Sequence, residues 1–96
     1  MFRETTSEAL AADVRAARTG DLKALQRLFE RHAPLVLRLV SSRLPSHPHR
    51  ELVAEEIWLN VWDALDELED PLRWLPWLLS RARQVLEERH GDELLE

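Results

Sequence analysis

Hydrophobic residues recur every three to four positions along most of the chain, which is the spacing of one face of an α-helix. No stretch alternates apolar and polar residues with period two, and β-branched residues never cluster, so strands are not predicted. Glycine, proline and capping residues divide the pattern into four segments, near 8–18, 22–44, 50–68 and 74–89. The sequence therefore predicts an all-α domain of four helices around one core.

Capping signals place the junction between the first two helices. Ser7 is a candidate N-cap for the first helix, Gly20 can adopt the left-handed conformation that ends it, and Asp21 can cap the second. Pro34 lies inside the second segment, where proline costs about 3 kcal/mol or bends the helix. Because the apolar stripe resumes on the same face, we expect a bend and not a break. The expected stripe comprises Leu22, Leu25, Leu28, Phe29, Leu35, Val36, Leu39, Val40 and Leu44.

The four tryptophans all belong to the third and fourth predicted helices. They are Trp58, Trp62, Trp74 and Trp77. Aromatic side chains at helical spacing usually pack in a core, and we expect these to do so, with one partly exposed as a binding anchor. The alternative is a base-stacking platform for single-stranded nucleic acid, but such platforms lie in positively charged grooves.

Length and composition indicate one folded domain over residues 1–96, with residues 1–6 and 91–96 expected to fray. The hydrophobic fraction is 45% and the charged fraction 32%, as in folded soluble proteins. The absence of cysteine excludes disulfides and thiolate metal sites. No apolar stretch reads as a signal peptide or reaches the roughly 20 residues of a membrane span, so a cytoplasmic protein is expected.

Charge is distributed unevenly along the chain, whose net value is −5. Residues 1–50 contain nine basic and five acidic side chains, whereas residues 51–96 contain four and thirteen. Binding to a polyanion requires basic side chains that displace counterions. The acidic second half is therefore expected to repel DNA.

Candidate catalytic and metal-binding residues are few. The sequence has no glycine-rich phosphate loop and no set of nucleophile, base and orienting residue, so we do not expect an enzyme or a cofactor. His47 and His49 could bind a metal, but no cysteine or carboxylate lies at ligand spacing from them. We therefore expect an exposed loop without a metal site, and His32 at the boundary of the core.

Four motifs occur in order over roughly residues 8–90. They are Thr19-Gly20-Asp21 followed by Ala24-Leu25 and Leu28-Phe29, the stretch RHAPLVLRL at 31–39, EEIWLNVW at 55–62, and WLPWL at 74–78 followed by Ala82-Arg83. Together they resemble region 2 of bacterial extracytoplasmic-function sigma factors, including the proline inside the second helix. The resemblance implies a compact four-helix domain of that type.

The resemblance also implies how such a domain works. In this family the third helix docks on the clamp coiled coil of the RNA polymerase β′ subunit, and the following loop and fourth helix melt and read the −10 promoter element. The sequence keeps Glu56 and the apolar framework of the docking helix, but it has Leu52 where the family has aspartate and Glu55 where it has glutamine. It also has residues 84–90 where the family has a basic end to the fourth helix. We do not expect the helix-turn-helix domain that reads the −35 element within these 96 residues.

These observations favour a transcription-related interaction domain that binds a protein and does not recognise promoter DNA. The expected binding residues are Glu55, Glu56, Asn60 and Asp63. The expected partner is polymerase β′ or another helical or coiled-coil protein. Two alternatives stay open: a DNA-binding sigma region 2 that is a fragment of a longer chain, and an adaptor or oligomerisation module unrelated to polymerase. The basic and acidic halves would allow head-to-tail self-association.

Overall fold

The computed structural model describes residues 7–94, and within this range the chain forms helices and no strand. This confirms the predicted all-α class. The four α-helices are α1 (Ser7–Arg18), α2 (Leu22–Arg43), α3 (Arg50–Asp63) and α4 (Trp74–His90). Single 3-10 turns lie at Leu65–Glu67, Pro71–Arg73 and Gly91–Glu93. The N-cap predicted at Ser7 is instead the first helical residue of α1, and the position before it lies outside the described residues.

The predicted junction between α1 and α2 is confirmed in detail. Gly20 has a φ of +96°, and its N–H donates to the Ala17 carbonyl at 3.0 Å, while the Asp21 N–H donates to the Ala16 carbonyl at 3.1 Å. This pair of bonds is the Schellman motif, which satisfies carbonyls at a helix end. Asp21 Oδ1 then accepts from the Lys23 and Ala24 amides at 3.0 and 3.2 Å. A tight turn of three residues therefore ends one helix and begins the next.

Helix α2 runs unbroken across Pro34, and its buried side is narrower than predicted. Buried positions recur every four residues and are Ala24, Leu28, His32, Val36 and Val40. The expectation that Leu22 and Phe29 belong to the core stripe was wrong, because their exposed fractions are 75% and 43%. Leu22 is the first helical residue, and Phe29 lies at the edge, with its ring 5.2 Å from the ring of Trp58.

Helix α3 ends at Asp63, five residues earlier than predicted, because the chain turns there to bury two leucines. Leu65 lies in the 3-10 turn and Leu68 follows it, and both are almost fully buried. Asp70 then caps the next turn, its Oδ1 accepting from the Leu72 amide at 3.0 Å. The hydrophobic pattern of this region is therefore that of a turn wrapped on the core and not of a longer helix.

The tryptophans form a run of neighbouring rings through the interior, as expected for core residues. Successive centroids from Trp58 through Trp62 and Trp74 to Trp77 are 5.1, 6.5 and 6.1 Å apart. Trp58 and Trp74 are buried, whereas Trp62 and Trp77 are partly exposed, so two tryptophans reach the surface and not the one that we expected. The indole N–H of Trp74 has no hydrogen-bond acceptor among the described residues. The centre of the domain is thus apolar enough to leave a polar group unsatisfied.

His32 is a core residue and not the boundary residue that we expected. Its exposed fraction is 5%, and its ring lies 5.7 Å from that of Trp74 in an edge-to-face contact. His32 Nδ1 is 2.9 Å from the Leu28 carbonyl, which can only accept, so Nδ1 carries the proton. Burial lowers the pKa of His32, and the neutral ring is therefore favoured.

The end of the chain continues past α4. We expected residues 1–6 and 91–96 to fray. Residues 1–6 and 95–96 lie outside the described range. Gly91–Glu93 form a 3-10 turn, and Leu94 packs against the core. None of the helices in residues 7–94 combines the length and the apolar character needed to cross a membrane.

Trp74 gives a direct test of this core. Trp74→Ala should destabilise the domain by about 3–5 kcal/mol, because it leaves a large cavity beside His32. Trp74→Phe should be much milder, because it retains an aromatic ring and removes the unsatisfied N–H. Urea unfolding followed by circular dichroism at 222 nm measures both. Trp77→Ala is the matched control and should be milder than Trp74→Ala, because Trp77 is partly exposed; equal losses would contradict this assignment of the core.

Candidate functional site

One side of α3 faces outward along its whole length. Leu52, Glu55, Leu59 and Asp63 are exposed, and Glu56 is partly exposed between them. Residues at this spacing share one face of a helix, and we call these five residues the α3 face. The opposite side of the helix packs in the core through Val53, Ala54, Ile57, Trp58 and Val61. Core packing therefore fixes which side chains α3 presents.

The four predicted binding residues fall into two pairs. Glu55 and Asp63 are exposed and belong to the α3 face. Glu56 and Asn60 are partly buried at the junction with α4, where they contact side chains of that helix. The structure thus places two of these residues at the surface and two at the contact between helices.

Asn60 contacts α4 through the side chain of Arg81. Its Oδ1 accepts from Arg81 Nε at 3.1 Å and from Arg81 Nη2 at 2.8 Å. The Arg81 guanidinium also lies 3.5 Å from the Glu67 carboxylate and 6.0 Å from the ring centroid of Trp77, a cation–π distance. The Arg81 guanidinium therefore contacts three side chains of the domain.

Glu56 holds the end of α4 in the same way. Its Oε1 lies 2.9 Å from His90 Nε2, and its Oε2 lies 3.5 Å from Arg89 Nη1. The His90 ring reaches a second carboxylate through Nδ1, which lies 3.3 Å from Glu93 Oε2. The hydrogen bond to Glu56 is the main cause that raises the pKa of His90, and the hydrogen bond to Glu93 raises it further. Partial burial opposes both, because it disfavours the charged ring.

His47 of the loop before α3 joins this group, which sequence reasoning missed. Its Nε2 lies 3.6 Å from Glu93 Oε1, and its ring centroid lies 5.5 Å from that of His90. His47 is partly buried, so the expectation of an exposed loop was wrong at this residue, although it holds for His49. His90 ends α4 and Glu93 lies in the turn after it, so both are distant from His47 in the sequence, and no local spacing could have indicated the cluster.

The outward side of α4 carries charges of both signs. Arg83, Gln84, Glu87 and Glu88 are all exposed, and together with Ser80 they border a shallow depression. Arg83 is therefore accompanied by two carboxylates on the same surface. The charged side chains of this depression therefore have a net negative charge.

Comparison with known proteins identifies the family. The family model of sigma-70 region 2 matches residues 28–92, which is more than half of the chain and runs from α2 through the turn after α4. No curated protein and no solved structure matches the chain. The matched range contains the α3 face, the tryptophan run and the contact between α3 and α4. The chain therefore belongs to the sigma-70 region 2 family.

Proposed function

We propose that this domain acts in transcription by binding a protein through the α3 face, that its partner is the clamp coiled coil of RNA polymerase β′, and that it does not recognise promoter DNA. Sigma region 2 is a non-enzymatic domain of transcription factors, and membership of the family gives the chain a transcription-related role. A partner of this kind also places the protein in the cytoplasm. The observation that carries the proposal is the composition of the α3 face.

The α3 face combines exposed leucines with carboxylates. Leu52 and Leu59 have exposed fractions of 56% and 65%, with Glu55 between them and Asp63 beyond. Large apolar side chains anchor an interface, while surrounding charges steer the encounter and select the partner. A helix or coiled coil that presents apolar and basic side chains fits this combination. The leucine at position 52, which departs from the family pattern, then adds an apolar contact in place of a charge.

The contacts between α3 and α4 support the same interface by holding the docking helix in place. Asn60 bonds to Arg81, and Glu56 contacts both His90 and Arg89. We therefore assign Asn60 a positioning role, whereas Glu55, Glu56 and Asp63 face the partner. A docking helix that is fixed before binding loses less conformational freedom when it binds.

The same contacts argue against promoter recognition. Arg81 and Arg89 are paired with groups of α3 or the turn after it, and Arg83 shares its surface with acidic neighbours. Trp77, the partly exposed tryptophan of α4, is partly covered by the Arg81 guanidinium. Arg81 and Trp77 are thus engaged within the domain, and Arg83 and Arg89 lie beside carboxylates.

Charge reversal on the α3 face tests the protein interface. Glu55→Arg should weaken binding to a purified β′ clamp coiled-coil fragment by at least about tenfold, which is about 1.4 kcal/mol, because it opposes basic groups on the partner. Adding Glu56→Arg should weaken binding further. Biolayer interferometry gives the affinities, and thermal melts show whether each variant is folded. The single Glu55 variant is the cleaner of the two, since Glu56 also contacts His90.

Glu87→Arg is the matched control, because it makes the same change of charge at an exposed helical position on α4 instead of α3. It should bind like the wild type. Wild-type affinity in folded Glu55 and Glu56 variants would move the interface elsewhere, first to the basic surface of α1 and α2 that carries Arg15, Arg18, Arg27 and Arg31. Failure of the wild type to bind the β′ fragment would reject polymerase as the partner. Light scattering of the chain alone would then test head-to-tail self-association.

Binding to DNA is expected to be weaker than that of non-specific DNA-binding proteins, whose Kd values are about 10⁻⁴–10⁻⁶ M at physiological salt. The reason is the pairing of Arg81 and Arg89 with carboxylates and the acidic charge of residues 51–96. Fluorescence anisotropy with −10-like single-stranded DNA and with duplex DNA measures it. Micromolar binding that weakens as salt is raised would support the alternative of a DNA-binding sigma domain.

A further inference from the structure

We propose that His47, His90 and Glu93 form a binding site for a divalent transition-metal ion such as Zn²⁺. The three side chains come from the loop before α3, the last turn of α4 and the 3-10 turn that follows. One ligand atom from each lies within 4.8 Å of the other two. The proposal does not depend on the function of the α3 face.

The distances fit a tetrahedral ion. With metal–ligand bonds of about 2.0–2.1 Å, two ligands of a tetrahedral Zn²⁺ lie about 3.3 Å apart. The distance from His90 Nδ1 to Glu93 Oε2 is 3.3 Å, and that from His47 Nε2 to Glu93 Oε1 is 3.6 Å. The two distances involve different oxygens of Glu93, and the ligand atoms of all three residues lie within 4.8 Å of one another, so binding of one tetrahedral ion requires side-chain rotation. Two imidazoles and a carboxylate are ligands that Zn²⁺ uses in proteins, and a water molecule can complete the set.

Glu56 supplies the support that a metal-binding histidine requires. Its Oε1 lies 2.9 Å from His90 Nε2, the ring nitrogen that faces away from Glu93. A histidine that binds metal through one nitrogen usually donates its other N–H to a carboxylate, which fixes the ring and makes it a better ligand. His90 is therefore already oriented with Nδ1 toward the proposed ion. A surface cleft lined by Pro45, His47, Pro48 and Glu93 gives access from solvent.

Two local hydrogen bonds must change when the metal binds. His90 Nδ1, which bonds to Glu93 Oε2, must release its proton to solvent before it can bind the ion. The second bond involves His47. The His49 N–H donates to His47 Nδ1 at 3.0 Å, so Nδ1 has a free lone pair and Nε2 carries the proton of the neutral ring. Binding the ion through Nε2 requires the proton to be on Nδ1 instead. The bond from the His49 amide is then lost, and this amide becomes a specific reporter of metal binding through His47.

Isothermal titration of the untagged 96-residue chain with zinc chloride tests the site. We expect 1:1 binding with a Kd of about 10 µM or below, together with a higher Tm, since a ligand that binds only the folded state stabilises it. Mg²⁺ should not bind, because it prefers oxygen ligands. Tetrahedral Co²⁺ bands in the visible spectrum should appear in the wild type. The His49 amide resonance should shift when Zn²⁺ is added.

His47→Ala and Glu93→Gln should each weaken Zn²⁺ binding by at least about tenfold and abolish the Co²⁺ bands. Both residues lie outside the α-helices, so folded variants are expected and circular dichroism checks them. His49→Ala is the matched control from the same loop and should bind within about twofold of the wild type. Equal losses in the His47 and His49 variants, or a wild-type Kd above about 1 mM, would overturn the proposal.

Discussion

The contact between α3 and α4 determines what the rest of the molecule can present to a partner. Burial of Trp58 and Trp74 packs the two helices into a common core, and it leaves the α3 face as the side of the helix that solvent can reach. The polar groups at the edge of this contact then pair with each other, as Asn60 does with Arg81. Partly buried polar groups without partners would be costly, so the pairing follows from the packing. The packing that exposes the carboxylates of α3 therefore also brings Arg81 of α4 into hydrogen bonds with Asn60.

This division underlies the proposal that the domain binds a protein and does not recognise promoter DNA. A phosphate backbone is bound by cations that are free to replace its counterions, and an arginine that already bonds to a neighbouring helix must first give up those bonds. Arg81 would lose two hydrogen bonds to Asn60, and Arg89 would lose its contact with Glu56. The carboxylates of the α3 face have no such restriction at Glu55 and Asp63, where exposure is high. The two helices therefore differ in the contacts of their charged side chains: Arg81 and Arg89 of α4 contact α3, whereas Glu55 and Asp63 of α3 are exposed to solvent.

The fold could be predicted because its signals are local. Gly20 and Asp21 specify the first turn by their own backbone and side-chain preferences, and helical spacing identifies α1 to α4. Errors arose where packing decides between similar residues. Phe29 and Leu28 are both hydrophobic, but only Leu28 lies on the row that meets the core, and the end of α3 depends on burial of Leu65 and Leu68. The α3 face could be located from the same periodicity, whereas the partners of Glu56 and Asn60 could not, because they lie on another helix.

The cluster around His90 shows most clearly why sequence spacing has limits. Ligand spacing can be recognised when two residues share a helix or a turn, but His47 and Glu93 meet only because α4 returns to the loop before α3. Glu56 belongs to this cluster and also to the α3 face, so one carboxylate faces both proposed binding sites. A change in its contact with His90 therefore changes the surroundings of a carboxylate of the α3 face. If an ion and a protein partner both bind here, any coupling between their affinities is equal in both directions, since linkage between two binding sites is reciprocal.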